Sequence, residues 1–598
     1  MSLFSVLERP VPDLTVKIET GCSPSSVEPV LQADQDEELG RATIYRDLTT
    51  RNISLACLCL GWVLGIASLT TGTCIVATSN PPLPSWLVDR VMNMGMVDYP
   101  FPQLDLPLLY IQGHRVYCLP RALVFLISFL LNIVLTAILD GMNFIHSTTL
   151  RWNLWRESRL QYNSNPRLFS CARSSDSPYA NRWFGNVLSA LSLALSYGAT
   201  SLLTFNIYIR GVSDGRIGVT AEKVDGDRYG LDINGWAVVG LGIGLLIQAA
   251  ISTSCLLSSR AVETWSCNPF TNAKACALLP TPNLPPLDSS LEQPTLAQPT
   301  QPSALTIIPS IRATTRLLYL FTLILLACTA TTALIAYRAG RLNRAYVISQ
   351  TGRADVTSYF QALGQLSVPY YLPRGNPYDA RQDYVGLLIQ VAAQALLTLD
   401  LHGAEAVVAI VRDEKVWRRA SQRSGARFDA QDSFVHDALT CWEMWVLSAF
   451  KALANCVFGF AVSCNLFVFV AVLPLGALAL LVGILAGCVD ALARWQPRGT
   501  QPVAFGDLGR LGRLVSSWGG EVEGRLFWGD LGVARDMGDG DRELARTART
   551  AGRRLDKVKV GESYVGLGAN LVVNNREREK VPERKGGWCG LKVGRRGD

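Results

Sequence analysis

Apolar and polar positions along this chain fall into long blocks, not into the period of two or 3.6 that marks half-buried elements. Seven stretches are apolar with few or no charges: residues 53–77, 122–145, 185–209, 233–257, 317–337, 384–411 and 452–489. The hydrocarbon core of a bilayer is about 30 Å thick, and roughly 20 apolar residues of helix cross it. The pattern therefore predicts an all-α polytopic integral membrane protein with seven to eight transmembrane helices.

The last block sets the range of that count. It runs for 38 residues without a charge and contains Pro474. A straight helix of that length would measure about 57 Å, too long for one span. A break near Asn465 would give two crossings and draw "CWEMWVLSAFKALANCVFGF" into the first of them. The distribution of Lys and Arg favours this division. Seven crossings leave 19 and 16 basic residues on the two sides, whereas eight leave 22 and 13, with both termini on the basic, cytosolic side. The eight-span reading places Lys451 near mid-membrane, with Glu443 as its expected partner.

Around a helical domain spanning residues 51–495 the composition changes. Residues 1–50 are polar and acidic and read as a disordered N-terminal segment. Residues 280–309 hold eight Pro among Thr, Gln and Ser, and read as a Pro-rich loop: a spacer, or a ligand for an SH3-type partner. Residues 496–598 form a soluble, partly disordered basic tail. Its opening, "FGDLGRLGRLVSSW", predicts a short amphipathic helix on the protein or the bilayer, with Leu508, Leu511, Val515 and Trp518 on one face. Periodicity is lost beyond Gly529. The chain's net charge is +7, and residues 535–598 carry 16 basic and 10 acidic side chains, so most of the excess lies there. Aromatic residues are sparse among those charges, which argues against nucleic acid as a partner and leaves anionic lipid.

Candidate chemistry is scarce. The fifteen Cys form no CxxC pair, and the four His form no metal-binding spacing. No phosphate-cradling or nucleophile motif is present, so no metal or cofactor is assigned. "GLGIG" at Gly240–Gly244 lies inside a span and reads as close helix packing. Ionisable residues within apolar blocks are functional candidates by default. In the eight-span reading Asp140, His146, Asp400, His402, Glu405 and His436 lie toward the cytosolic side, with His402 and Glu405 sharing a helix face. They are candidates for a proton path or a metal site, or for polar helix ends that satisfy one another.

Two segments pair Trp with Arg where a span ends. "RWNLWRESR" follows the second block and "RDEKVWRRASQR" the sixth. Trp prefers the headgroup layer and Arg pairs with lipid phosphate, so Trp152, Trp155, Arg156, Trp417 and Arg418 read as membrane-interface anchors.

"IHSTTLRWNLWRESRLQYNSNPRLF", "ETWSCNPF", "LTLDLHGAEAVVAIVRDEKVWRRA" and "QPRGTQPVAFGDLGRLGRLV", with "GRLFWGD" beyond, carry a resemblance. The chain resembles an uncharacterised family of large polytopic membrane proteins of filamentous ascomycete fungi, from about residue 50 to 535. It departs from that pattern at Asp400 and Gly403, which are more polar and smaller. The resemblance implies a multi-pass topology and brings no activity or ligand with it. The expectation is a non-enzymatic multi-pass protein in contact with the lipid bilayer: transporter-like, channel-like or scaffold. Two alternatives stay open, a membrane-embedded enzyme using the Asp/His/Glu group and a receptor-like seven-helix protein. The pattern does not choose between plasma membrane and endomembrane.

Overall fold

The computed structural model describes residues 47–78, 114–119, 121–164, 170–174, 177–209, 212–213, 216–217, 228–258, 262–278, 295–338, 367–370, 381–427, 442–464, 468–516, 518, 524–533 and 546–567. The acidic N-terminal segment, the first half of the Pro-rich loop, His436 and the end of the basic tail lie outside these residues. Among the described residues, eight helices are long and apolar enough to cross a membrane. They are α1 (Leu48–Thr78), α2 (Arg121–Arg156), α3 (Trp183–Leu203), α4 (Gly235–Ser258), α5 (Pro309–Arg338), α6 (Arg381–Arg418), α7 (Trp442–Ala461) and α8 (Val472–Arg494).

The long seventh block divides as its length requires. Val462–Cys464 and Val468–Ala471 pair antiparallel, so the chain changes direction between α7 and α8. Pro474 consequently lies in the first turn of α8, where no intrahelical N–H is needed, and it kinks nothing. Pro309 opens α5 in the same way. The third block ends earlier than its hydropathy suggests: Thr204–Ile209 leaves the helix as a strand, pairing with Arg228–Asn234, which also pairs with His114–Leu119. That sheet gathers the start of α2, the end of α3 and the start of α4 on one face of the bundle. A second sheet, of Ser367–Tyr370, Val468–Ala471 and Val462–Cys464, gathers the start of α6 with the α7–α8 turn.

Two hydrophobic cores organise the bundle. Leu58, Leu139, Met142, Leu193 and Leu245 join α1–α4 in one. Leu318, Leu397, Val408, Leu447, Phe458 and Val482 join α5–α8 in the other. Helices pack closely where small residues let backbones meet. A Cβ on Gly242 of α4 would lie 2.6 Å from the Leu69 backbone nitrogen of α1, so the "GLGIG" stretch serves packing. The seam between halves is formed where α3 meets α6 and α2 meets α7. Gln390 of α6 donates to Ser201 Oγ of α3 across it at 2.8 Å.

The opposite face carries a folded layer that the tail composition does not announce. The helix Pro269–Leu278, the helix Leu508–Leu514 and a five-stranded sheet pack over the ends of α2, α6 and α8. The sheet order is Thr295–Leu296, Ser563–Val565, Arg546–Ala551, Arg525–Val533, Ala426–Arg427. Its strands come from the end of the Pro-rich loop, from the chain after α6 and from the tail. The expectation of a free spacer therefore fails for residues 295–308. Gly499 N–H donates to Pro299 O and Gln301 N–H to Pro497 O, both at 2.8 Å, and tie that segment to the tail. The expected amphipathic helix forms only over Leu508–Leu514, with Asp507 as its N-cap, and buries Leu508, Leu511 and Leu514 in the protein interior; Val515 is already extended, and Trp518 lies beyond the helix. Trp417 forms the centre of this layer, 5.6 Å from Phe270 and 5.7 Å from Trp528 between ring centroids.

Truncating a fully buried Trp costs about 3–5 kcal/mol, through lost transfer energy and the cavity left behind. Trp417→Ala is expected to lower the unfolding temperature of the purified protein and to expose residues 525–567 to protease before the helical bundle is cut. Equal protease resistance of variant and parent would show that the layer is not held through Trp417.

Candidate functional site

The strongest concentration of charge inside the helical bundle surrounds Lys451 of α7. An ammonium in an apolar span needs a counter-charge, because burial without one costs far more than a helix gains by packing. Lys451 is 4 % exposed, and its Nζ lies 2.9 Å from Glu405 Oε2 of α6 and 3.6 Å from Asp140 Oδ1 of α2. Glu405 in turn meets His402 Nδ1 at 2.9 Å, one turn earlier on the same helix face. Glu443, the expected partner of Lys451, is instead ion-paired with Lys415. Asp140 belongs to the N-terminal half and Lys451 and Glu405 to the C-terminal half, so this charge bridge spans the seam.

A cavity of about 10 Å³ adjoins the cluster, lined by Tyr197, Thr398, Leu401, His402, Lys451 and Asn455. That is space for about one water molecule. Gln394 Nε2 donates to Asn455 Oδ1 at 2.8 Å and continues the polar seam above it.

The six candidates of the sequence thus separate. Asp140, His402 and Glu405 converge on Lys451. Asp400 lies on a different face of α6, because five residues turn a helix by about 500°; it is 7 % exposed, and its Oδ2 has no hydrogen-bond partner among the described residues. His146 is buried where α2 meets the stretch before α3, its Nε2 3.0 Å from Ala180 O. His436 lies outside the described residues. Among the described residues no three His, Cys, Asp or Glu side chains are placed to share a metal ion.

The Trp/Arg segments differ from their expected role. Trp152 is 1 % exposed and Trp417 fully buried, so neither ring reaches a lipid surface. Trp152 Nε1 donates to Thr264 O at 3.0 Å and Trp417 Nε1 to Pro502 O at 2.7 Å. Trp155 packs edge-on to Trp152 and is half-buried, and Arg156 bonds Asn153 Oδ1 at 3.2 Å beside Glu263. Arg418 is held by Glu414 Oε1 at 2.8 Å and by the carbonyl of Gln501. Amphipathic rings beside cations mark a protein interior as well as a bilayer edge.

The acids between these Trp and Arg residues complete a latch. Glu414 Oε2 accepts the backbone N–H groups of Ala504 at 2.9 Å and Phe505 at 2.7 Å. Asp413 Oδ2 accepts Asn163 Nδ2 at 3.0 Å and Ser164 Oγ at 2.9 Å. Asn272 Nδ2 donates to Asn163 Oδ1 at 2.6 Å, and Arg151 Nη1 to Ser266 O at 3.1 Å. The segments after α2, before the Pro-rich loop, at the end of α6 and after α8 therefore meet at one place. Gly506 lies there with φ +76°, and a Cβ on it would stand 2.8 Å from Asp413 Oδ2. At the end of α2, burial raises Glu157, but hydrogen bonds from the Ser174 and Arg173 N–H groups, Arg159 and Ser177 together hold the carboxyl below its ordinary range. Burial pushes the Cys276 thiol up to about 12, so it stays protonated and inert. No family model, curated protein or solved structure compared with the chain matches it.

Removing one partner of a buried ion pair costs about 3–5 kcal/mol, because the other charge is left uncompensated. Lys451→Met is expected to destabilise the purified protein by that amount in thermal unfolding. Adding Glu405→Gln to it should recover part of the loss. Additive losses in the double variant would show that the two residues are not coupled.

Proposed function

We propose that the chain is an eight-span integral membrane protein of non-enzymatic, transporter-like kind, in which the Lys451 cluster couples the two halves of the bundle. The observation that carries this reading is the charge bridge from Asp140 to Lys451 and Glu405 across the seam. Transporters place their sites near mid-membrane at the interface between bundles that rock against each other. A protonatable bridge at such an interface changes the packing energy of the halves when its charge changes. The water-sized cavity beside it fits an occluded state.

Membrane insertion itself is supported by the outer surface of the helices. Leu60, Val63 and Ile66 of α1 and Leu320, Leu323 and Leu326 of α5 are each about half exposed, forming apolar faces that water would not tolerate and lipid would cover. Even numbers of spans bring the start of α1 and the end of α8 to one side, which favours this arrangement over a seven-helix receptor. The resemblance to fungal polytopic membrane proteins is of the same kind and adds no substrate.

Two measurements test the reading. In sealed vesicles, epitopes placed at Met1 and at Asp598 should be cut or protected together by added protease; opposite outcomes remove the eight-span arrangement. Asn455→Cys, in reconstituted vesicles, should react with a membrane-impermeant thiol reagent applied from either side, as peptide mass spectrometry would register against the parent background. A thiol at that position left unmodified from both sides would indicate a static scaffold.

A further inference from the structure

A cavity lies on the tail face, between the end of α6, the start of α7 and the end of α8. Its volume is about 580 Å³, within the range of about 300–1,000 Å³ that small-molecule sites occupy. Five of its lining residues are cationic, Arg412, Lys415, Arg418, Arg419 and Arg498, and one, Glu443, is acidic. Three of those cations have acidic neighbours: Lys415 has Glu443, Arg418 has Glu414 and Arg412 has Asp413. Arg419 and Arg498 form no ion pair among the described residues. Arg418 is nine-tenths buried, and its Nη2 has no hydrogen-bond partner among the described residues, although Nε and Nη1 are both bonded. Arg419 and Arg498, two guanidinium groups without an ion pair in one cavity whose wall also includes Arg412, Lys415 and Arg418, form a receptor for a multiply charged oxyanion.

Two aromatic rings place the cavity. Trp442 and Trp495 line it, and Lys415 Nζ lies 5.7 Å and 5.9 Å from their ring centroids. Trp442 and Trp445, at the start of α7, are each 59 % exposed. Exposed Trp at a helix end is characteristic of the headgroup layer. These are the rings that meet the membrane edge, in place of Trp152 and Trp417.

We propose that this cavity binds a phosphate-bearing anion, held by Arg419 and Arg498, with a lipid phosphomonoester or a soluble phosphate compound as its source. The lipid source rests on the eight-span reading; binding of a soluble phosphate does not.

The test uses the full chain in neutral detergent. The probes are phosphatidic acid in phosphatidylcholine micelles, inositol hexakisphosphate and inorganic phosphate, with phosphatidylcholine alone as the blank, and binding is followed by native mass spectrometry and titration. Saturable binding of phosphatidic acid alone assigns the lipid source, and saturable binding of a soluble probe alone assigns the soluble one. In either case the double variant Arg419→Gln/Arg498→Gln should bind about thirty-fold more weakly, at roughly a fivefold loss per charge. Arg419→Lys/Arg498→Lys should retain most of the affinity, which separates charge from folding. The exposed tail pair Arg553→Gln/Arg554→Gln should leave affinity unchanged. No binding above the blank overturns the proposal, as does an equal loss in the tail control, which would show a diffuse charge effect.

Discussion

An ammonium group inside an apolar span constrains everything around it. Lys451 sits in the interior of α7, away from bulk water, and its charge can be kept there only by carboxylates brought from other helices. Those carboxylates come from α2 and α6, which have their own apolar surfaces to bury. The position of one cation therefore fixes the relative depth and rotation of three helices belonging to two different cores. The seam that results is polar where each half is apolar. Ser201, Gln390, Gln394 and Asn455 extend it, and each finds a hydrogen-bond partner on a facing element or helix.

A second set of buried charges governs the tail face by different physics. Glu414 and Asp413 stand at the end of α6 and accept backbone and side-chain donors from segments more than eighty residues away. Such donors cannot be replaced by water once the site is closed, so the chain after α2 and the chain after α8 are drawn onto one point. The ring of Trp417 then supplies apolar area at the same place. Hydrogen bonds select the partners, and aromatic burial provides most of the attraction between them. The cationic cavity opens beside this latch, so its Arg residues inherit positions set by the fold.

Local composition misleads where it describes a role that two environments share. Trp152 and Trp417 sit beside Arg residues as interfacial anchors do, yet their indole N–H groups are spent on carbonyls inside the protein. Trp442 and Trp445, at the start of α7, are the exposed rings instead, and no run of Arg marks them in the sequence. The basic tail reads as solvated chain because its strands are short and alternate poorly. Arg546–Ala551 becomes a strand only because Arg525–Val533 and Ser563–Val565 flank it.

By itself the sequence narrowed the long helices to seven or eight with approximate limits, and read the Gly240–Gly244 stretch as close packing. These follow from hydropathy, length and residue size, which are properties of neighbouring positions. The shared face of His402 and Glu405 is likewise a matter of helical spacing. Only the tertiary structure decided that Lys451 pairs with Glu405 and Asp140, that Glu443 serves Lys415, and that His146 and Asp400 stand apart from the cluster. Ion pairs and buried hydrogen bonds join helices distant in the chain, and an isolated charge in a span demands a partner without specifying which one. The same reason hides the folded tail, whose strands gain their hydrogen bonds and their buried faces only from segments brought in from elsewhere.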